Sequence, residues 1–237
     1  MTCPDRDDER PGRDGAARVS DTRTFSRRSS RVLFGRILGV LGLAIYNWWI
    51  VVATNSHLLT SSDEFFSDLE AFGRPDANLL QRLDLVAGLT LLSALLLRGP
   101  SGRHGPRPEW KWIVGFSAAG ALGGQFAYAC SEGLSAVCRR AEWHLQLPFH
   151  HYVHVLSGVT EFAAVTVAIY LAGKRTKGQG TLVARALKWI AVTLLVAYPL
   201  LGISYVSDRY GAFVEPVFFV CFSAVVAIEL FEPAGPT

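Results

Sequence analysis

Six apolar runs, at residues 32–53, 79–97, 112–129, 152–172, 186–206 and 212–231, dominate this sequence of 237 residues. Each approaches the roughly 20 residues that carry an α-helix across the hydrocarbon core of a bilayer. A backbone in lipid must satisfy its own hydrogen bonds, so runs of this kind fold as helices. Short connections between sequential spans then imply an up-and-down bundle. The expected fold class is therefore all-α, a six-transmembrane-helix bundle over residues 31–232. The second run is the weakest, because Gln81, Arg82 and Asp84 stand in its first turns.

Residues 1–30 are a different material, with seven Arg and six Asp or Glu set among Gly, Ser and Thr. Such a segment buries too little apolar surface to offset its ordering entropy and reads as a disordered cytoplasmic tail. It is not expected to be a secretory signal, because the first apolar run begins late and outlasts an h-region. Over the whole chain only 18% of residues are charged, against the roughly 25% of soluble domains. The net charge of +3, with no basic stripe carrying interleaved aromatics, argues against nucleic acid as a partner.

Basic residues give the orientation. Fourteen Lys or Arg lie on one side of the runs: Arg23, Arg27, Arg28, Arg31 and Arg36, then Arg98, Arg103, Arg107 and Lys111, then Lys174, Arg175, Lys177, Arg185 and Lys188. Four, Arg74, Arg139, Arg140 and Arg209, lie on the other. The positive-inside bias places the N-terminal end in the cytoplasm, and six crossings return the C-terminal end there. The expected location is a bacterial plasma membrane, with membrane lipid as the surrounding partner. The basic inner loops read as ordinary turns.

Polar chemistry gathers on the opposite, outer side. After the first run come His57, Asp63, Glu64, Ser67, Asp68 and Glu70, with Phe65, Phe66 and Leu69 interleaved. Residues 63–70 have the pattern of a short amphipathic helix on the membrane surface, capped by Ser61 or Ser62, or of a solvated acidic loop. Cys130 and Cys138 fall in the second outer loop, where an extracytoplasmic compartment permits a disulfide. Cys3 and Cys221 have no partner at matching depth and read as free thiols. The run Pro148-Phe149-His150-His151-Tyr152-Val153-His154 opens the fourth span. At 100° per residue, His150, His154, Ser157 and Glu161 share one helix face. Glu161 lies about 9 residues into its run, near mid-bilayer, where a carboxylate must face the interior and pair or protonate.

Four readings of this polar set stay open. His150 and His154 have the i, i+4 spacing of helical zinc ligands, with His57 or Asp68 as a third, but the Glu of an HExxH motif is missing. His57, Asp68 and His154 are candidates for metal-free acid–base catalysis. Ser67, Asp84 and Glu161 are candidates for binding a ligand, such as a lipid head group. The same groups also serve packing when they hydrogen-bond between helices. Gly35-x-x-x-Gly39 and Gly120-x-x-x-Gly124 permit close helix approach.

Asn55-Ser56-His57, Phe66-Ser67-Asp68-Leu69-Glu70, His151-Tyr152-Val153-His154 and Glu161-Phe162 resemble the DUF998 group of bacterial and archaeal multi-pass membrane proteins. The likeness spans about residues 32–231, and the Ser-Asp-Leu element is its most recognisable part. It implies the six-span layout and assigns no activity. The expected function is to bind or process a lipid or envelope precursor in an outward-facing polar pocket. A non-enzymatic membrane scaffold and a metal-dependent, zinc-type membrane hydrolase are the alternatives, so whether the protein is an enzyme stays open.

Overall fold

The computed structural model describes residues 14–55, 59, 61–102, 105–207 and 209–232. It is all-α apart from a two-residue antiparallel pairing of Ser101–Gly102 with Gly105–Pro106. The helices are α1 (Asp14–Tyr46), α2 (Trp49–Thr54), α3 (Ala77–Arg98), α4 (Trp110–Gly123), α5 (Ala136–Trp143), α6 (Phe149–Thr176), α7 (Leu182–Ser207) and α8 (Gly211–Phe231), with a 3₁₀ turn at Ser67–Glu70. Side chains on their outer faces are apolar and exposed, as with Leu195 at 74% and Val51 at 66%. Faces of this kind suit acyl chains as solvent.

Five helical stretches, not six, are long and apolar enough to cross a membrane among the described residues: Ser30–Val52, Ala77–Arg98, Phe149–Thr176, Leu182–Ser207 and Gly211–Phe231. The run expected at 112–129 is the exception. Its helix α4 has 14 residues, about 21 Å at 1.5 Å per residue, against a core of about 30 Å. Its end coincides with a close approach of backbones: a Cβ at Gly124 would lie 2.8 Å from Leu85 Cα, so the chain passes α3 there only as glycine. Gly88 of α3 has the same relation to Ala121, at 2.7 Å from its Cα.

The first crossing is also interrupted. Asn47 turns its amide back onto Leu43 O (2.8 Å) and across to Ser223 Oγ of α8 (2.8 Å), dividing α1 from α2. At its other end α1 begins at Asp14, so residues 14–30 extend the helix into the segment whose composition reads as a tail. Extension from an apolar helix that already exists costs far less than nucleation. Residues 1–13, with Cys3, lie outside the described residues.

Two ends are defined by contacts. At the first, Phe72 N–H donates to Tyr128 O (2.9 Å), Ala212 N–H to Ser62 O (3.2 Å) and Tyr205 OH to Glu142 Oε1 (2.8 Å). Cys130 and Cys138 are bridged here, with Cα atoms 6.0 Å apart, and we term this the disulfide end. At the second, the arginine end, the loop joining α3 to α4 meets the end of α8. Arg107 pairs with Glu229 at 2.9 Å and also donates to Glu229 O (2.6 Å) and Gly99 O (2.7 Å). Arg175 spans Glu109 (2.6 Å) and Glu232 (2.7 Å), Arg98 donates to Leu230 O (3.3 Å), and Arg36 stands over the Phe231 ring. The connections expected to be ordinary turns are thus a buried ion network. Between the two ends the chain passes six times, α4 and the turn after it making the third passage.

The core runs the length of the bundle, from Leu91, Leu95 and Ile113 through Val165 and Leu194 to Phe218, Phe222 and Val225. The first loop is packed into it. Glu64, Phe66, Leu69 and Glu70 are all buried, so residues 63–70 form neither an amphipathic surface helix nor a solvated loop. Phe66 closes on Trp48, Trp49 and Phe219, and Arg74 meets Glu64 at 3.2 Å, which draws the loop inward.

Removing one member of a fully buried ion pair leaves the other uncompensated, at a cost of about 3–5 kcal/mol. Arg107→Met should destabilise the detergent-solubilised protein by that amount in thermal unfolding, and a second change, Glu229→Met, should recover most of it.

Candidate functional site

Below the disulfide end lies a cavity of about 570 Å³. Its wall takes Tyr46 and Trp48 from the first crossing, Ser67, Asp68 and Glu70 from the 3₁₀ turn, and Asp84 from α3. Ser117 and Gly120 of α4, His154 and Glu161 of α6, Tyr198 and Tyr205 of α7, and Glu215 of α8 complete it, with Tyr128 and Glu132 from the second loop. Of the residues singled out in the sequence, Ser67, Asp68, Asp84, His154 and Glu161 meet here. His57 lies outside the described residues. His150 is exposed on the first turn of α6, while its neighbour His151 is fully buried. A helical wheel gives a direction but not what stands there; the second loop covers His151 and stops short of His150.

The carboxylates divide into two kinds. Asp68 is engaged by backbone: its Oδ2 accepts from Phe65 N–H (3.1 Å) and its Oδ1 from Glu132 N–H (3.0 Å). Glu215 Oε2 accepts from Phe66 N–H. These two acids hold the first and second loops onto the bundle. The remaining acids are less committed. Asp84 Oδ1 accepts from Trp48 Nε1–H, while Glu70 Oε2, on a residue 2% exposed, accepts nothing among the described residues. Glu161 packs against Gly120, whose missing side chain makes room for its Oε1, and has no hydrogen-bond partner among the described residues. Burial pushes the Asp68 carboxyl above its usual range, and the backbone donor at Phe65 offsets this in part. Burial raises Glu70 well above the usual range, and the neighbouring Asp84 adds to the effect.

The histidines are oriented by backbone. His154 Nδ1 lies 2.6 Å from Phe126 O, and since a carbonyl only accepts, this nitrogen carries the proton and leaves Nε2 as acceptor. Ser157 Oγ is turned away, donating to Val153 O (2.8 Å). Tyr128 packs on both imidazoles, its ring 4.1 Å from that of His154 and 5.0 Å from that of His151.

The three-residue donor groups among the described residues contain neither His150 nor His154, and His57, one of the expected third ligands, lies outside the described residues. One such group is Glu132, Glu142 and His151, with His151 Nε2 at 3.6 Å and 3.4 Å from the two carboxylates. Ala129 N–H donates to His151 Nδ1 (3.3 Å), which places the proton of the neutral ring on Nε2, toward the glutamates. An imidazole protonated there is a donor, not a metal ligand. The other group, Glu109, Glu229 and Glu232, is neutralised by Arg107 and Arg175.

Glu70, Glu132, Glu142, Glu215 and His151 were not assigned to the site from sequence. The available signal was position: Glu132 lies inside the loop that the bridge closes, and Glu215 interrupts an otherwise apolar run.

A helical membrane protein, with an acidic and aromatic cavity at one end and an ion network at the other, is the class these features define. The family model described as "Protein of unknown function (DUF998)" matches residues 37–230, and the chain belongs to that family. No curated protein and no solved structure matches it.

Two outcomes test the site's construction. A bridge closing a loop this short contributes about 2–3 kcal/mol by chain entropy, so Cys130→Ser with Cys138→Ser should lower unfolding stability by that amount. A carboxyl with a raised folded pKa binds protons more tightly folded than unfolded, so it contributes less stability as pH rises through and above the ordinary carboxylate range. Glu70→Gln should therefore gain in melting temperature relative to wild type between pH 4 and pH 8, read by thermal scans across that range.

Proposed function

We propose that the protein crosses a bacterial plasma membrane six times, with residues 1–30 as a cytoplasmic segment and both ends of the sequence inside, and binds a membrane amphiphile, a lipid or envelope precursor, in its cavity. In support of six crossings, the six passages between the two ends leave Arg36 beside Phe231, so the first and last crossings start and finish together at the arginine end. That end carries the excess of Lys and Arg, and the disulfide end belongs outside, where bridges persist. The short third passage is sheltered between α3 and α6, and a segment buried in protein need not match the bilayer's thickness.

The observation that carries the ligand reading is a side opening. Val159 of α6 lines the cavity and is also 59% exposed on the surface facing acyl chains. Gly158 and Gly202 line the cavity on α6 and α7, and a Cβ on either would meet nothing within 4 Å. Two helices that present glycine across a gap leave a slot open to the membrane core. A volume of about 570 Å³ is in the ordinary range for small-molecule sites, about 300–1,000 Å³. Binding is favoured over reaction because Asp68 is occupied by backbone donors and Ser157 by its own helix.

A Cβ at either position meets nothing within 4 Å, so Gly158→Phe and Gly202→Phe are the substitutions that place a ring at the slot. Native mass spectrometry of the purified protein should show co-purifying lipid in wild type and at least tenfold less in either variant at unchanged melting temperature. Equal retention in all three would overturn the reading.

A further inference from the structure

Six carboxylates drawn from five helices and loops converge on the cavity, and no lysine or arginine among the described residues lines it. The arginine end shows how this chain treats buried acids where nothing else is to bind them: Glu109, Glu229 and Glu232 each meet an arginine. At the cavity no such cation is provided. Asp68 and Glu215 accept from backbone N–H groups, Asp84 accepts from Trp48 Nε1–H and Glu132 lies 3.6 Å from His151 Nε2, which leaves Glu70 and Glu161, beside Asp84, facing open volume. Two buried polar atoms in the wall make no hydrogen bond among the described residues, Glu70 Oε2 (residue 2% exposed) and Ser117 Oγ (residue 1% exposed). A buried carboxylate oxygen without a donor costs several times what a satisfied one does, and a ligand that supplies the donor recovers that difference.

The rest of the wall narrows the chemistry. Phe, Tyr and Trp are its commonest members, among them Trp48, Phe116, Phe218 and Phe222. Ring faces attract cations, and they favour organic ammonium groups over strongly hydrated inorganic ions, which would have to shed water against an apolar surface. Acids with no balancing cation also repel an anionic head group.

We infer that the cavity binds an amphiphile whose head is an ammonium group, its charge set against Glu70, Asp84 and Glu161 and its chain leaving through the slot beside Gly158 and Gly202. The inference rests on the amphiphile reading above and adds the charge of the ligand. The ammonium belongs either to a free alkylamine or to the head group of an amine-bearing lipid.

The full chain in detergent micelles is titrated with hexylammonium chloride, sodium hexyl sulfate and 1-hexanol, which share a chain and differ in head group. Thermal unfolding reports binding. The ammonium probe should raise the unfolding midpoint, and the two others should not. Its apparent Kd should weaken at least tenfold in Glu70→Gln and in Glu161→Gln, both of which preserve side-chain shape. Equal stabilisation by hexanol or hexyl sulfate, or unchanged affinity in both Gln variants, would overturn the charge assignment and leave the amphiphile reading intact. Stabilisation by sodium or calcium chloride alone would overturn it in favour of an inorganic ion. No response to any probe, together with lipid retained by Gly158→Phe, would remove both readings; no response with lipid lost from Gly158→Phe would remove the charge assignment alone. In nanodiscs, retention of phosphatidylethanolamine over phosphatidylglycerol assigns the ammonium to a lipid head group, and retention of neither, with the hexylammonium response present, assigns it to a free amine.

Discussion

Carboxylates withdrawn from water must be given donors, and the architecture follows from how this chain supplies them. Glu64, Glu70, Glu109, Glu142, Glu215, Glu229 and Asp68 are all buried. At one end the donors are guanidinium groups brought from other segments, so the loop joining α3 to α4 is pinned to the end of α8 by Arg107 and Glu229. At the other end the donors are mostly peptide N–H groups, and accepting them folds the first and second loops inward. A buried ion pair in a low-dielectric setting is stable only when its remaining hydrogen bonds are also met. Arg107 meets that condition on its own side, with three acceptors beyond the carboxylate, Glu229 O, Gly99 O and Pro100 O, while Glu229 Oε1 makes no hydrogen bond among the described residues.

The two ends therefore differ in kind. At the arginine end Glu109, Glu229 and Glu232 each meet a guanidinium. The disulfide end is braced by the Cys130–Cys138 bridge and by backbone hydrogen bonds, and beneath it a space remains in which some acids have no donor. Small residues shape that space. Gly88 and Gly124 bring α3 and α4 into backbone contact, Gly120 yields its volume to Glu161, and a Cβ at Gly158 or Gly202 would meet nothing within 4 Å. In a membrane helix bundle small residues are the usual means of close approach. Here the same residue type both seals one pair of helices and parts another.

Much of the fold was legible in the residues. Apolar run length identified five of the crossings to within a few residues, because the bilayer sets one length scale for all of them. The third run met the same hydropathy rule, but its helix has 14 residues and ends beside the backbone contact at Gly124, and a hydropathy pattern carries no information on which backbones will touch. The cysteine pair was legible from compartment and spacing. The site was legible in part: Ser67, Asp68, Asp84, His154 and Glu161 share the cavity, yet His150 does not and Glu70, Glu132 and Glu215 had been left out of the site. Helical phase ranks the faces of one helix; it does not say which face a distant loop will cover.

By itself, then, the sequence determined that this chain lives in a bilayer as helices, where its basic and polar ends fall, and which side chains are too costly to face lipid, since each is a question of transfer free energy along one segment. Only the tertiary structure decided which acids receive arginines, which receive peptide N–H groups and which face an open cavity. Those outcomes depend on contacts between residues more than a hundred positions apart, such as Phe66 with Glu215 and Arg107 with Glu229, and a local pattern does not encode who the partner is.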